Sequence, residues 1–391
     1  MNGLDLVAVI LLVVAVIFGA RSGALPQVAG LGGAALGAIV GFTALPAAAP
    51  LLDGLPTTIR AILTLGTLLG LVALGEGLGA AIGRRASHSL GRGLLGALDQ
   101  VAGALVGAAQ AVLILWLAGG VLASGPFPNV SQLAQTSKAL RIVDAFLPPP
   151  TELVTELSAL LDDTGLPDVF IGLEPLPAAP IDLPSNAIAR ALGQHAAGSI
   201  LRVVADGCSL ESRGTSFVVS PGYLVTNAHV VAGARSIVVQ SSSETYTAIA
   251  VLVDLKLDIA VLRAKRLEAP ALSFTSTEPR RGDVGATFGY PGGGDASVEP
   301  ASVTAVYDAT GLDVTGRDRV TRRLVELRAH VVPGDSGGPL LLIDGTVGGV
   351  VFAESRADPT VGYALAPAEV MDRIAPALHS TQEVSTGPCI H

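Results

Sequence analysis

The sequence predicts an α-helical membrane domain of four spans followed by an all-β domain of two six-stranded barrels. Three observations carry this. The 391 residues are 50% hydrophobic and only 15% charged, with a mean hydropathy of +0.58, which is too apolar for an ordinary soluble chain. Four apolar stretches, near 4–20, 25–45, 61–83 and 94–122, fill the N-terminal third, each close to the ~20 residues that cross a bilayer core. From residue 196 the pattern turns to short β-branched runs punctuated by Gly, Pro and Asn, which reads as a barrel or sandwich. The expected organisation is a transmembrane domain over 1–123, a connector over 124–195 and the β domain over 196–391.

In the membrane domain, no basic residues precede the first stretch, so it reads as an uncleaved span rather than a removable leader. Arg84, Arg85 and Arg92 lie between the third and fourth stretches, and the positive-inside rule puts that loop in the cytoplasm. Four spans then leave the N-terminus and everything after residue 122 outside, in a multi-pass protein of the cytoplasmic (inner) membrane contacting its lipid. Glycines recur every four residues at Gly33, Gly37 and Gly41, at Gly75, Gly79 and Gly83, and at Gly103 and Gly107. Such small faces let helices pack backbone to backbone. Glu76, Asp99 and Gln110 lie in or at the ends of spans, where they serve either as interhelical hydrogen-bonding groups or as a proton or solute path. The run GLLGALDQVAGALVGAAQ, residues 93–110, resembles the fourth span of the colicin V production family, a resemblance that covers about the first 125 residues.

The connector carries two stretches of helical periodicity, 130–146 and 151–163, separated by Pro148, Pro149 and Pro150. They predict short amphipathic helices near the membrane surface. Prolines at 167, 175, 177, 180 and 184 then predict a stiff, extended linker. Its exposed part, 166–185, is where proteolysis would fall, self-cleavage included.

Charge excludes one class of partner. The net charge is −9, and the chain beyond residue 125 alone carries −10, with no basic run, which argues against nucleic acid. Cys208 and Cys389 are the two cysteines, in no CxxC or His/Cys metal spacing. No metal is expected. In a domain outside the cytoplasm the pair reads as a disulfide, closing the chain across 181 residues.

The chemistry concentrates in VVPGDSGGPLL, residues 331–341. A nucleophilic serine needs an accessible Oγ and inward backbone N–H groups for a developing oxyanion. Gly334 permits a backbone that aims its N–H inward, and Gly337 and Gly338 are expected to keep side chains away from a substrate. A base and an acid are then required. TNAHVV places His229 at the end of an apolar strand. VDLKLDIAVL offers Asp254 and Asp258, and Asp258 is preferred because it abuts the buried run Ile259–Leu262.

TNAHVV, DIAVL and GDSGGPL, in that order on a β-rich chain, resemble the chymotrypsin-like serine proteases, with the bacterial HtrA branch nearest through GTSFVVSPGYLVTNAHVV and GYALAP. With four spans in front and a cysteine pair in the β domain, the whole chain resembles the MarP-like actinobacterial membrane-anchored serine proteases. The resemblance implies a double six-stranded barrel and peptide-bond hydrolysis without a cofactor. It implies Ser336 as nucleophile, His229 as general base and Asp258 as its orienting acid. It implies an oxyanion hole from the N–H groups of Gly334 and Ser336, a specificity pocket walled by His330, Val331, Val332 and Pro333, and strand addition of substrate at Val351–Glu354. No Asp stands at the base of that pocket, so a preference for Lys or Arg is not expected. Substrates would be envelope or misfolded proteins, in stress response or protein processing. The alternative is a membrane scaffold or transporter-like bundle bearing an inactive protease-fold sensor domain.

Overall fold

The computed structural model describes residues 2–48, 57–89, 93–123, 128–147, 174–175, 177–208 and 210–390. They divide into two compact units, one built on residues 1–119 and 137–147, the other on 120–136 and 148–391.

The first unit is helical: α1 (Gly3–Ser22), α2 (Ala24–Ala48), α3 (Thr57–Ser89) and most of α4 (Leu94–Ala123). Asn2 caps α1, its Oδ1 accepting from the N–H of Leu4 and Asp5 while Asp5 Oδ2 accepts from the N–H of Asn2. This reciprocal pair satisfies donors that a helix start leaves open. Among the described residues three helical segments are long and apolar enough to cross a membrane, Gly3–Ser22, Ala24–Gly41 and Leu94–Gly120. The third apolar stretch of the sequence lies in α3 and is not among them.

The glycine faces pack as the spacing predicts. A Cβ on Gly33 would sit 2.0 Å from the Gly75 carbonyl oxygen, and one on Gly79 2.0 Å from that of Ala29, so α2 and α3 touch backbone to backbone. Gly103 and Gly107 do the same for α1 and α4, at 2.3 Å from the carbonyl oxygens of Gly19 and Ala15. Asp99 accepts from the N–H groups of Ala24 and Leu25, each at 3.0 Å, and from Ser87 Oγ at 2.7 Å. It therefore caps the start of α2 and ties three helices together, an interhelical hydrogen-bonding role. After α5 (Pro128–Gln135) comes the amphipathic α6 (Lys138–Phe146), capped by Ser137. Asp5 Oδ1 receives Ser137 Oγ at 2.8 Å and the Ala139 N–H at 3.0 Å, so the start of α6 is fixed to the start of α1. The helix predicted over 151–163 lies outside the described residues.

In the second unit α7 (Asn186–Ala196) precedes twelve strands. The first six are β1 (Ile200–Gly207), β2 (Leu210–Ser220), β3 (Tyr223–Thr226), β4 (Ala234–Gln240), β5 (Thr245–Asp254) and β6 (Ile259–Arg263), closed in the order β1-β2-β3-β6-β5-β4. The next are β7 (Val284–Gly289), β8 (Ser297–Leu312), β9 (Arg319–Arg328), β10 (Pro339–Leu342), β11 (Val347–Glu354) and β12 (Val361–Leu365), closed in the order β10-β11-β12-β9-β8-β7. Every pairing is antiparallel, so closure leaves neither sheet with an open edge. Alternate residues fill each barrel: Leu201, Val203, Val218, Leu224 and Leu262 in the first, Val303, Val325, Leu327 and Leu340 in the second. A third cluster, with Phe217, Ile259, Phe288, Phe352 and Tyr363 fully or almost fully buried, joins the barrels to each other and to α7. That apolar seam fixes the two barrels rigidly, and the chemistry-bearing loops open beside it.

Candidate active site

His229 sits on the single-turn helix α8 (Ala228–Val231), which follows directly from β3. Asp258 precedes β6, and β3 pairs with β6, so the sheet itself brings the two residues together. Asp258 Oδ2 lies 2.7 Å from His229 Nδ1, and Asp258 Oδ1 accepts the His229 backbone N–H at 2.9 Å. The carboxylate is fully buried and the imidazole is 8% exposed. A bond at Nδ1 leaves Nε2 as the free nitrogen. Asp258 has φ +66°, a left-handed conformation that Asp tolerates better than most residues. It is over-determined: Asp258 N–H donates to the Asp254 carbonyl, Asn227 Nδ2 donates to the Asp258 carbonyl, and Arg322 Nε donates to the Lys256 carbonyl within the same turn. Asp254, expected at the surface, is half-buried and paired with Arg373 instead of with His229.

Ser336 comes from the turn before β10 and is held against the first barrel. Its carbonyl accepts the Thr215 N–H at 2.8 Å. Gly214 lies between it and α8, since a Cβ there would be 2.7 Å from Val230 Cγ2 and 3.0 Å from the Ser336 carbonyl oxygen. Ser336 Oγ and His229 Nε2 make no hydrogen bond among the described residues, in residues that are 4% and 8% exposed.

The backbone around the serine explains the glycines. The Pro333 carbonyl accepts the Gly292 N–H at 2.8 Å. A trans peptide points C=O and N–H in opposite directions, so the Gly334 N–H is turned away from the 291–293 turn. Gly334 has φ +104°, and its carbonyl receives Thr215 Oγ1 at 2.7 Å. The N–H groups of Gly334 and Ser336 have no acceptor among the described residues. Gly337 and Gly338 do a different job from the one the sequence suggested. A Cβ on Gly337 would be 2.2 Å from the Thr215 carbonyl oxygen, and one on Gly338 1.9 Å from that of Phe288. They keep side chains out of the seam between the barrels and off β7, not away from a substrate. Thr215 and Gly292 were not singled out from the sequence. The glycine cluster GYPGGG at 289–294, directly after a strand, was the available signal.

Of the expected pocket wall, Val331 is buried and packs on Gly362, Val332 is half-buried, and His330 and Pro333 are exposed. Among the described residues no group of three or more His, Cys, Asp or Glu converges as a metal would require. Cys208 and Cys389 form a disulfide.

Comparison with known proteins follows the same division. Residues 214–350 match the family Trypsin-like peptidase domain, and residues 4–148 match Colicin V production protein. Serine protease Rv3671c of Mycobacterium tuberculosis is 32% identical over 393 residues, covering 99% of this chain and 98% of that one. The chain belongs to the trypsin-like serine proteases. A crystal structure of the Rv3671c protease in its active form superposes with a TM-score of 0.53 at 34% identity, covering 56% of this chain and 99% of that one. A probable periplasmic serine endoprotease, DegP-like, of Chlamydia pneumoniae is 34% identical over 185 residues, which is 45% of this chain and 36% of that protein. This protease is thus a membrane-anchored enzyme with an extracytoplasmic catalytic domain.

Electrostatically, the protease carries a buried acid beside its serine. Asp335 is 7% exposed, and burial pushes its carboxyl up to about 6, opposed by the Val332 N–H and by His330. Among the described residues no ion pair reaches it. Its Oδ2 accepts the Val332 N–H at 2.9 Å, which closes the 332–335 turn.

Proposed function

We propose that this protease cuts peptide bonds with Ser336 as nucleophile, His229 as general base and then general acid, and Asp258 as the group that fixes the imidazole and stabilises its cation. The observation that carries this is the buried 2.7 Å contact between His229 Nδ1 and Asp258 Oδ2, which leaves Nε2 as the nitrogen available to Ser336. Proton flow then balances. Ser336 Oγ attacks the scissile carbonyl as its proton passes to Nε2. The resulting imidazolium gives that proton to the leaving amine, and water repeats the cycle on the acyl-enzyme. The unused N–H groups of Gly334 and Ser336 are the donors for the oxyanion. His330, Val331, Val332 and Pro333 wall the specificity pocket. The absence of a carboxylate among these four supports an uncharged side chain in it.

The protease is a multi-pass protein of the inner membrane. The fixing of α6 to the start of α1 supports this, because it returns the chain after α4 to the end of the bundle where it began. An even number of crossings does that. Its substrates are proteins or peptides of the cell envelope, and its own linker at 166–185 is one of them; nucleic acid is not a partner. In wild-type membranes a fluorophosphonate probe should label Ser336, and Ser336→Ala should abolish both labelling and the shortened self-cleavage fragment. A fragment that persists in Ser336→Ala would remove the linker from the substrates. Absence of labelling in the wild type would overturn the nucleophile assignment.

A further inference from the structure

Glu174 belongs to a Pro-rich connector that the sequence reads as extended and exposed, yet it is only 3% exposed. A carboxylate is driven into a protein only where donors meet it, and three do. Ser355 Oγ donates at 2.6 Å, the Arg356 N–H at 2.8 Å and the Ala357 N–H at 3.2 Å. The Glu174 N–H in turn donates to Gln135 Oε1 at 2.8 Å.

The residues that follow are tied to the second barrel. The Ala178 N–H donates to Glu326 Oε1 at 2.9 Å and Arg281 Nη2 to the Ala179 carbonyl at 2.7 Å. Arg328 Nη1 donates to the Ile181 carbonyl, and Ser302 Oγ to that of Asp182 at 2.8 Å. Residues 177–182 are therefore a strap laid over β8 and β9, with Glu174 as an anchor ahead of it.

The place where that anchor lands matters. Ser355, Arg356 and Ala357 begin the turn from β11 to β12. Glu354 pairs with Gly362 across that turn, and Gly362 is the residue on which Val331 of the pocket wall packs. The turn thus connects the substrate strand to the specificity pocket. The far half of the turn is closed on itself: the Val361 N–H donates to the Asp358 carbonyl, and Asp358 Oδ1 accepts from the N–H and Oγ1 of Thr360. The near half has the Ser355 N–H to the Val361 carbonyl, Ser355 Oγ receiving the N–H groups of Ala357 and Asp358, and the Glu174 carboxylate.

We infer that Glu174 is a positioning residue for peptide hydrolysis: docked on Ser355, Arg356 and Ala357, it fixes the β11–β12 turn and with it the substrate strand and pocket. The inference rests on the proposed roles of Val351–Glu354 and His330–Pro333. It also divides the linker. A cut before residue 174 leaves the anchor attached to the catalytic domain, and a cut between 175 and 185 releases it.

The test uses the full chain in detergent, comparing wild type with Glu174→Ala, Glu174→Gln and Ser355→Ala. Fluorophosphonate labelling of Ser336 reads the nucleophile and its base. Steady-state cleavage of a long peptide reads KM and kcat, and hydrogen exchange reads the segment 352–360. Glu174→Ala should label at a rate within about threefold of wild type while KM rises about tenfold or more and exchange at 352–360 accelerates. Glu174→Gln keeps one acceptor oxygen and should fall between. If Glu174→Ala does not fold, Glu174→Gln carries the test with a smaller KM-selective loss, while Ser355→Ala, which also removes the acceptor of the Ala357 and Asp358 N–H groups, reports what loosening the turn itself does to KM. An unchanged KM with unchanged exchange overturns the role of Glu174. Failure of the wild type to label overturns the catalytic reading instead, so the two failures are separable.

Discussion

At the scale of single residues, two carboxylates beside the serine behave oppositely. Asp258 is buried but doubly hydrogen-bonded to His229, the arrangement that the proposed orienting role requires. Asp258→Asn should keep the fold and present the wrong tautomer to Ser336, lowering kcat by about 10⁴, with the melting temperature as the control. Asp335 is buried with one N–H donor and no cation among the described residues. Its carboxyl titrates near 6 instead of 3.8, so between those values the native state binds more protons than the unfolded chain. Stability then falls as pH rises through that window. The full penalty above it is on the order of 3 kcal/mol, at about 1.4 kcal/mol per unit. Burial raises Glu174, Glu354 and Glu369 as well, with the same sign. Urea midpoints of the wild type should therefore climb as pH drops from 7 to 5, and Asp335→Asn should flatten much of that slope. An equal slope in the variant would assign the dependence to the other three acids.

At the scale of elements, what could be read in advance was whatever depends on local pattern. Period-2 runs such as SILRVVAD became β1, and the four-residue glycine spacing became the α2–α3 and α1–α4 contacts. The contact between His229 and Asp258 was legible because TNAHVV and DIAVL each fix their residue to a strand end. The purposes of Gly337 and Gly338 were not, because they depend on Thr215 and Phe288, which are distant in sequence. Glu174 was hidden for the same reason: nothing near it in the chain reveals that Ser355 and two N–H groups will close around it. The helix faces give a direct test. A side chain on Gly103 meets the Gly19 carbonyl at 2.3 Å and the Gly23 carbonyl carbon at 2.6 Å, and neither backbone can yield without parting α1 from α4. Gly103→Leu should destabilise the bundle by about 2 kcal/mol or more, seen as an earlier thermal aggregation midpoint in detergent. Gly66→Leu, at a position with nothing within 4 Å, should not.

At the scale of the whole catalytic domain, each barrel is bound by a segment from outside it. The strap over 177–182 lies on the second barrel, and residues 380–389 lie on the first. Tyr223 Oη donates to the Ser380 carbonyl at 3.0 Å, the Val384 N–H to that of Ala250 at 2.9 Å, and Thr386 Oγ1 to that of Ala234 at 2.9 Å. These bonds are single and separated, each contributing about 1 kcal/mol, and would not by themselves hold ten residues against their chain entropy. The disulfide between Cys208 and Cys389 supplies what they lack. It closes the chain over a separation of 181 residues, worth up to about 5 kcal/mol in loop-closure entropy. Gly233 makes room for it, since a Cβ there would stand 2.3 Å from Cys208 Sγ and 3.0 Å from Cys389 Cα. Replacing both cysteines by serine should lower the melting temperature of the domain by up to about 10–20 °C, at roughly 2–4 °C per kcal/mol for a domain of this size. Hydrogen exchange at 380–389 should accelerate first, because that segment loses the cross-link that pins its far end to the first barrel. A double variant that melts with the wild type would mean that the hydrogen bonds alone suffice.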